Sequence, residues 1–303
     1  MAARSGIMLA LVLLGAVSND LAAQHAFASV LATDTTPARK PAKSSVKNTG
    51  FSKQQMSNQR VLAARYEKRF EIKQLFRERK IPFPAEEIYV RIFKRERQLE
   101  MWVRPAGQDT FALLKRYEIC ALSDKLGPKR KQGDMQTPEG FYYIDDFNPR
   151  SGFHLSLHID YPNRSDQILG GAAAPLGGDI FIHGGCKTLG CMAVTDESIK
   201  EIYWLAVEAR DNGQQRIPVH IFPTRLTNNN LAQLENVFKN EPQLVSFWTN
   251  LKPGFDYFNE HKQLPPVVIS ASGRYQLRKN PLLLGDPVAL TTDSSKSQPT
   301  KGN

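Results

Sequence analysis

The chain has 303 residues, 41% of them hydrophobic, a formal charge of +10 and a pI near 9.5. That length and ordinary composition exclude a wholly disordered or fibrous chain and leave room for one large domain with appendages. The basic balance points to anionic partners such as cell-wall polymer, acidic lipid or nucleic acid, or serves solubility alone.

The N-terminus reads as a signal peptide over residues 1–28. Arg4 supplies a positive start, and residues 7–17 form an apolar run too short to span a bilayer comfortably. Small-residue cleavage patterns follow at Leu21-Ala22-Ala23 and Ala26-Phe27-Ala28, and no cysteine follows the apolar run to carry a lipid. An uncleaved anchor is the alternative. Export to a periplasm argues against nucleic acid as partner.

Residues 29–55 are rich in Thr, Ser, Lys, Pro and Ala and read as a flexible basic linker. Residues 56–80 carry Val61, Leu62, Tyr66, Phe70, Ile72, Leu75 and Phe76 at helical spacing among many Lys and Arg. This basic amphipathic helix either packs on the main domain with a solvated face or lies on an anionic surface. Pro82 and Pro84 end it.

Residues 81–223 form the candidate catalytic domain. Residues 87–94, 99–104 and 110–119 are β-type runs with a turn at Gly107-Gln108-Asp109, a meander of short strands. The turn Thr137-Pro138-Glu139-Gly140 leads into a strand at 141–144. Over 153–159, Leu155, Leu157 and Ile159 share one face, and His154, Ser156 and His158 the other. Residues 170–178 are a loop and 179–183 a strand. Thr195 or Asp196 caps a helix running to about Asn212, with Gly213 as its stop, and 218–222 is the last strand. Residues 224–285 read as a mostly helical extension: 228–239 and 241–259 are helical, the second interrupted at Pro253-Gly254, and a short strand follows at 267–269. Residues 286–303 read as a disordered tail. The fold class is mainly β with flanking helices (α+β).

The chemistry gathers in Ile182-His183-Gly184-Gly185-Cys186-Lys187-Thr188-Leu189-Gly190-Cys191-Met192-Ala193. His183 ends a strand, two glycines free the backbone, and Cys191 follows a glycine eight residues on. Such a loop doubles back and presents a thiol to an imidazole, the pairing a cysteine nucleophile needs. A neighbouring imidazolium or the start of the following helix would favour the thiolate. Gly190 would let a substrate carbonyl approach, with the Cys191 N–H as an oxyanion donor. Cys186 lies on the outgoing arm and is the weaker candidate nucleophile.

Of the three cysteines, Cys120 and Cys186 either pair and leave Cys191 free, or all three remain thiols with Cys120 buried. A zinc site from His183, Cys186 and Cys191 with His154 or His158 is a rival, although no Cys-x2-Cys knuckle is present. The blandest alternative is a core histidine, two buried thiols and a glycine-rich loop.

Gly133-Asp134-Met135-Gln136-Thr137-Pro138-Glu139-Gly140-Phe141-Tyr142, then His183-Gly184, then Thr188-Leu189-Gly190-Cys191 together resemble the L,D-transpeptidase (YkuD) domain. Leu126-Gly127-Pro128-Lys129, residues 190–196 and residues 217–223 are similar to its YafK-like murein branch, and residues 247–254 to that branch's C-terminal extension. The resemblance covers residues 81–285. It implies a β-sandwich or barrel and an exported enzyme of peptidoglycan that needs no cofactor and no metal. The family's cysteine attacks the carbonyl of meso-diaminopimelate in a stem tetrapeptide, D-alanine leaves, and the thioester passes to an amine or to water. Carried over, Cys191 is the nucleophile and His183 the base. The Gly184 carbonyl orients the imidazole, Gly190 opens the oxyanion site, and Thr188 and Lys187 contact substrate. Two departures stand out. Leu189 replaces a second histidine, and Met192-Ala193 lacks the arginine that usually follows the cysteine. Lys187, Arg150 or Arg164 is then left to clamp the substrate carboxylate. The branch includes a hydrolase that releases a lipoprotein from diaminopimelate, so transfer, hydrolysis and a non-catalytic wall-binding role remain alternatives.

Overall fold

A computed structural model describes residues 49–278. The signal peptide, most of the 29–55 linker and the 286–303 tail lie outside the described residues. The linker's last residues, from Thr49, are already helical: α1 spans Thr49–Met56. No described helix is long and apolar enough to cross a membrane.

The centre is one eight-stranded mixed sheet. Its strands are β1 (Glu87–Phe93), β2 (Gln98–Arg104), β3 (Ala112–Glu118), β4 (Gly140–Asn148), β5 (Ser156–Ile159), β6 (Phe181–His183), β7 (Met192–Ala193) and β8 (Ile217–Phe222). They run in the order β3-β2-β1-β8-β4-β5-β6-β7. The β1–β8 and β6–β7 pairs are parallel, and the other pairs are antiparallel. This is the α+β fold expected from the sequence.

Both faces of the sheet are covered, so its central strands read as continuous apolar runs rather than clean alternation. On one face Ile88, Val90 and Ile92 of β1 and Val219 and Ile221 of β8 pack in one core with α2 (Gln59–Glu78) and α4 (Asp196–Asp211). On the other, Phe93 and Phe222 pack with α5 (Asn228–Val237) and α6 (Pro242–His261). A small hairpin of β9 (Val267–Ile269) and β10 (Tyr275–Leu277) adds Tyr275 to that second core. The short α3 (Arg164–Gly170), which carries no clear sequence signal, is held by an Asn163–Asp166 capping box.

Against the sequence expectation, α6 runs unbroken through Pro253-Gly254. Trp248, Leu251, Phe255 and Phe258 on one face of the helix are all buried, and that packing outweighs the lost backbone hydrogen bond. Gly254 is required there: a Cβ would sit 2.6 Å from the Phe141 ring.

A buried carboxylate joins this extension to the catalytic domain. Glu139 Oε1 lies 3.0 Å from Lys94 Nζ and accepts the Gly127 N–H at 2.7 Å; Oε2 accepts the Trp248 indole N–H at 2.7 Å. Lys94 also donates to the Gly127 and Thr137 carbonyls at 2.8 and 3.0 Å. Every polar hydrogen of the ammonium is therefore used, which makes the burial of both charges tolerable. Glu139→Ala strands the ammonium and is expected to lower stability by about 3–5 kcal/mol. Trp248→Phe removes one donor and is expected to cost about 1–3 kcal/mol. Urea unfolding of the two variants checks both values and their order.

Candidate active site

β6 and β7 build the site. In their parallel register Ile182 faces Met192 and His183 faces Ala193. Side chains alternate along a strand, so Phe181, His183 and Ala193 share one face, while Ile182 and Met192 enter the core on the other. Cys191 immediately precedes β7, so it and His183 lie on neighbouring segments joined by the intervening loop.

That loop is held at each turn. The His183 ring places Nδ1 2.6 Å from the Gly184 carbonyl oxygen, which fixes the N–H on Nδ1 and leaves Nε2 as the basic atom. The Phe153 ring lies over the imidazole with centroids 4.6 Å apart. Gly184 donates to the Phe153 and Leu155 carbonyls, and a Cβ there would sit 2.5 Å from Asp196 Oδ1. That oxygen accepts the Gly185 N–H at 2.9 Å, so the first turn of α4 pins the loop. Gly190 has φ +122°, and a Cβ would meet the Gln136 carbonyl oxygen at 3.0 Å. The cysteine loop therefore rests on the backbone of the Asp134–Thr137 motif.

Cys191 is free and half-buried. Its Sγ accepts the Phe181 N–H at 3.4 Å and lies 3.5 Å from the Asp179 carbonyl. Burial pushes the thiol pKa up, against smaller opposing effects of the Phe181 N–H, Thr188 and Lys129. Burial pushes the His183 pKa down, opposed by its bond to Gly184. The sequence alone suggested an imidazolium–thiolate pair. Desolvation thus disfavours both the thiolate and the imidazolium.

Thr188 and the Cys191 N–H differ from expectation. Thr188 Oγ1 accepts that N–H at 2.8 Å, so the hydroxyl closes the loop and occupies the donor assigned to the oxyanion. Lys187 is exposed on the outgoing arm. Arg150 lines a cavity of about 790 Å³ with Phe51 and Arg60, and Arg164 opens α3. The cation whose field reaches the thiol is Lys129, buried and bound to Asp134 at 2.6 Å and to the Lys131 carbonyl at 2.8 Å. Lys129, Phe153 and the loop-pinning role of Asp196 escaped sequence reasoning. Asp196 carried a signal there as a helix cap, and Lys129 only as the end of the Leu126-Gly127-Pro128-Lys129 motif.

Cys120 and Cys186 form a disulfide with Cα atoms 5.3 Å apart, closing 66 residues of sequence separation. Cys120 N–H also bonds the Ala193 carbonyl at 2.9 Å, so the bridge clamps the loop to the edge of β7. It removes Cys186 from the alternative zinc ligand set, and His158 is taken by Asp145 at 2.6 Å.

The YkuD family, the L,D-transpeptidase catalytic domain, matches residues 87–221. YafK of Escherichia coli strain K12, which bears the name of an L,D-transpeptidase, is 37% identical over 194 residues, covering 63% of this chain and 74% of YafK. The O157:H7 strain's YafK matches equally. The chain belongs to the L,D-transpeptidase family. Among solved structures, the helical cell shape determining protein Pgp2 of Campylobacter jejuni is 17% identical, with TM-score 0.37, over 61% of this chain and 73% of Pgp2. Bd1075 of Bdellovibrio bacteriovorus is 20% identical, with TM-score 0.33, over 57% and 60%. The family acts on peptidoglycan, and the matched segment runs from β1 into β8, enclosing both His183 and Cys191.

Two outcomes test this geometry. Alkylation of Cys191 by iodoacetamide is expected to accelerate with pH to a midpoint above the ordinary thiol value of about 8.5; a midpoint near neutrality would show a resting ion pair. Cys120→Ser is expected to lower stability by about 4 kcal/mol by the loop-entropy relation, read as a shift in urea midpoint against the oxidised protein.

Proposed function

We propose that the protein is an exported cysteine enzyme that acts on peptidoglycan stem peptides at meso-diaminopimelate through a thioester. The observation that carries this reading is the bond between His183 Nδ1 and the Gly184 carbonyl, which leaves Nε2 free as base beside the segment that carries Cys191. With both groups neutral at rest, Nε2 takes the thiol proton as sulfur attacks the peptide carbonyl. The tetrahedral intermediate collapses, the carbon–nitrogen bond breaks, and the imidazolium returns the proton to the leaving amine. An amine or water then attacks the thioester with the same base. The oxyanion draws on the Cys191 N–H once Thr188 Oγ1 yields it.

Transfer is the preferred outcome, by membership of a transpeptidase family. Hydrolysis of the same bonds, such as lipoprotein release, is the second reading. It is favoured by Ala193, which leaves no guanidinium beside the nucleophile, and by Leu189, 83% exposed where a second histidine would stand.

Incubation of the pure protein with defined tetrapeptide muropeptides, with and without an amine acceptor, separates these readings. Cross-linked product is expected, with loss of all turnover in Cys191→Ala and at least a hundredfold loss in His183→Gln, in line with removing a general base. Free tetrapeptide from a lipoprotein-linked muropeptide, without transfer, would establish the hydrolase. Unchanged turnover in Cys191→Ala would end the cysteine mechanism. Sacculus association with no turnover by the wild type would leave a wall-binding protein.

A further inference from the structure

Helix α2 is amphipathic twice over. Val61, Ala64, Lys68, Ile72 and Phe76 are buried against the main domain. Turned away from them, Leu62, Tyr66 and Phe70 are 46%, 73% and 66% exposed, an apolar stripe in steps of four residues. Arg69, Lys73 and Arg77 are exposed within the same stripe. At 3.6 residues per turn these six positions fall in an arc of about 100° that contains no acidic residue. The helix does carry acids, but on a flank and engaged. Glu67 bonds Lys200 at 2.6 Å, Glu71 bonds Lys68 at 3.0 Å, and Glu78 accepts from Gln74 at 2.9 Å. Among the described residues no acid lies within ion-pair distance of Arg69, Lys73 or Arg77; Arg69 and Arg77 instead sit 5.2 and 5.8 Å over the Tyr66 and Phe70 rings.

Exposed aromatic and leucine side chains are not explained by solubility, and solvated lysines and arginines do not need them. A helix with aromatic and cationic side chains on one exposed face matches the headgroup region of an anionic bilayer, which offers phosphate charge and an apolar phase together. A purely anionic polymer offers only the first. We propose that this outer face of α2 docks in the plane of an anionic phospholipid membrane. Charge complementarity extends along the chain, since Arg39, Lys40, Lys43 and Lys47 precede the helix with Asp34 the one acid in residues 29–48. The docked helix connects directly to the candidate active site. Arg60 donates to the Ser151 and His154 carbonyls at 2.5 and 2.8 Å, and between those residues Phe153 covers the His183 ring. Arg60 thus ties α2 to the wall of the candidate site. The proposal does not depend on which reaction the site performs.

The test uses the full chain and a local probe, so that attachment by any other segment is not mistaken for docking. An indole introduced by Tyr66→Trp is compared with one introduced by Val237→Trp, an exposed position on α5 across the sheet. The native tryptophans are buried and give a constant background. With vesicles of phosphatidylcholine and about one-third phosphatidylglycerol, brominated acyl chains are expected to quench the first probe and spare the second. Replacing Arg69, Lys73 and Arg77 together by Gln in the Tyr66→Trp chain is expected to weaken the effect roughly a hundredfold in lipid concentration. Pure phosphatidylcholine is expected to give no quenching. Equal quenching of both probes overturns the proposal, as does quenching that survives the three substitutions. Binding of this face to isolated sacculi but not to vesicles overturns it in favour of the polymer. All substituted side chains are exposed, and an unchanged thermal unfolding midpoint verifies that each variant is folded.

Discussion

The Glu139 carboxylate is the constraint on which the site depends. It is buried, and a buried charge survives only when every lone pair finds a donor. Meeting that demand brings together three distant parts of the chain: Lys94 just beyond β1, the Gly127 backbone, and Trp248 of α6. The Lys94 ammonium then takes the Thr137 carbonyl, whose N–H is held by Ser123 Oγ at 3.0 Å. Adjacent to Thr137, Gln136 presents the carbonyl against which Gly190 is packed. The chain of contacts thus runs from the C-terminal extension to the residue before the candidate nucleophile. The extension is part of the support of the site rather than an appendage to it.

A second consequence concerns charge. The environment that shapes the loop also dries it, and drying penalises both thiolate and imidazolium. Among the described residues Lys129, itself paired with Asp134, adds a cationic field at the sulfur, opposed by the Asp179 carboxylate. A half-buried neutral thiol is also slower to alkylate and to oxidise, which suits a free cysteine beside a disulfide.

The sheet, its helices and the chemical loop were legible from the amino acids, because periodicity and glycine placement act locally. Leu155, Leu157 and Ile159 alternate as a half-buried strand does, and all three are buried. Pro253 misled, because local backbone cost predicts a break where burial of Trp248, Leu251, Phe255 and Phe258 maintains a helix. Helix α3 was unreadable because seven residues carry too little periodicity. At the candidate site, the turn between His183 and Cys191 was legible from the placement of Gly184 and Gly190. The bond from the Cys191 N–H to Thr188 Oγ1 was not legible, because a hydroxyl near a cysteine carries no mark of whether it faces substrate or its own backbone.

The amino-acid sequence by itself determined the family and marked the candidate residues: one histidine at the end of a strand, one cysteine behind a glycine, and the motifs around them. Covalent order and local conformational preference suffice for those. Tertiary structure alone decided that Cys120 and Cys186 pair, that burial disfavours both the thiolate and the imidazolium, that the field of Lys129 reaches the thiol, and that α2 keeps an aromatic and cationic face outward. Each of these is set by distance and by exclusion of water between segments far apart in the chain, and neither quantity is defined until the chain has folded.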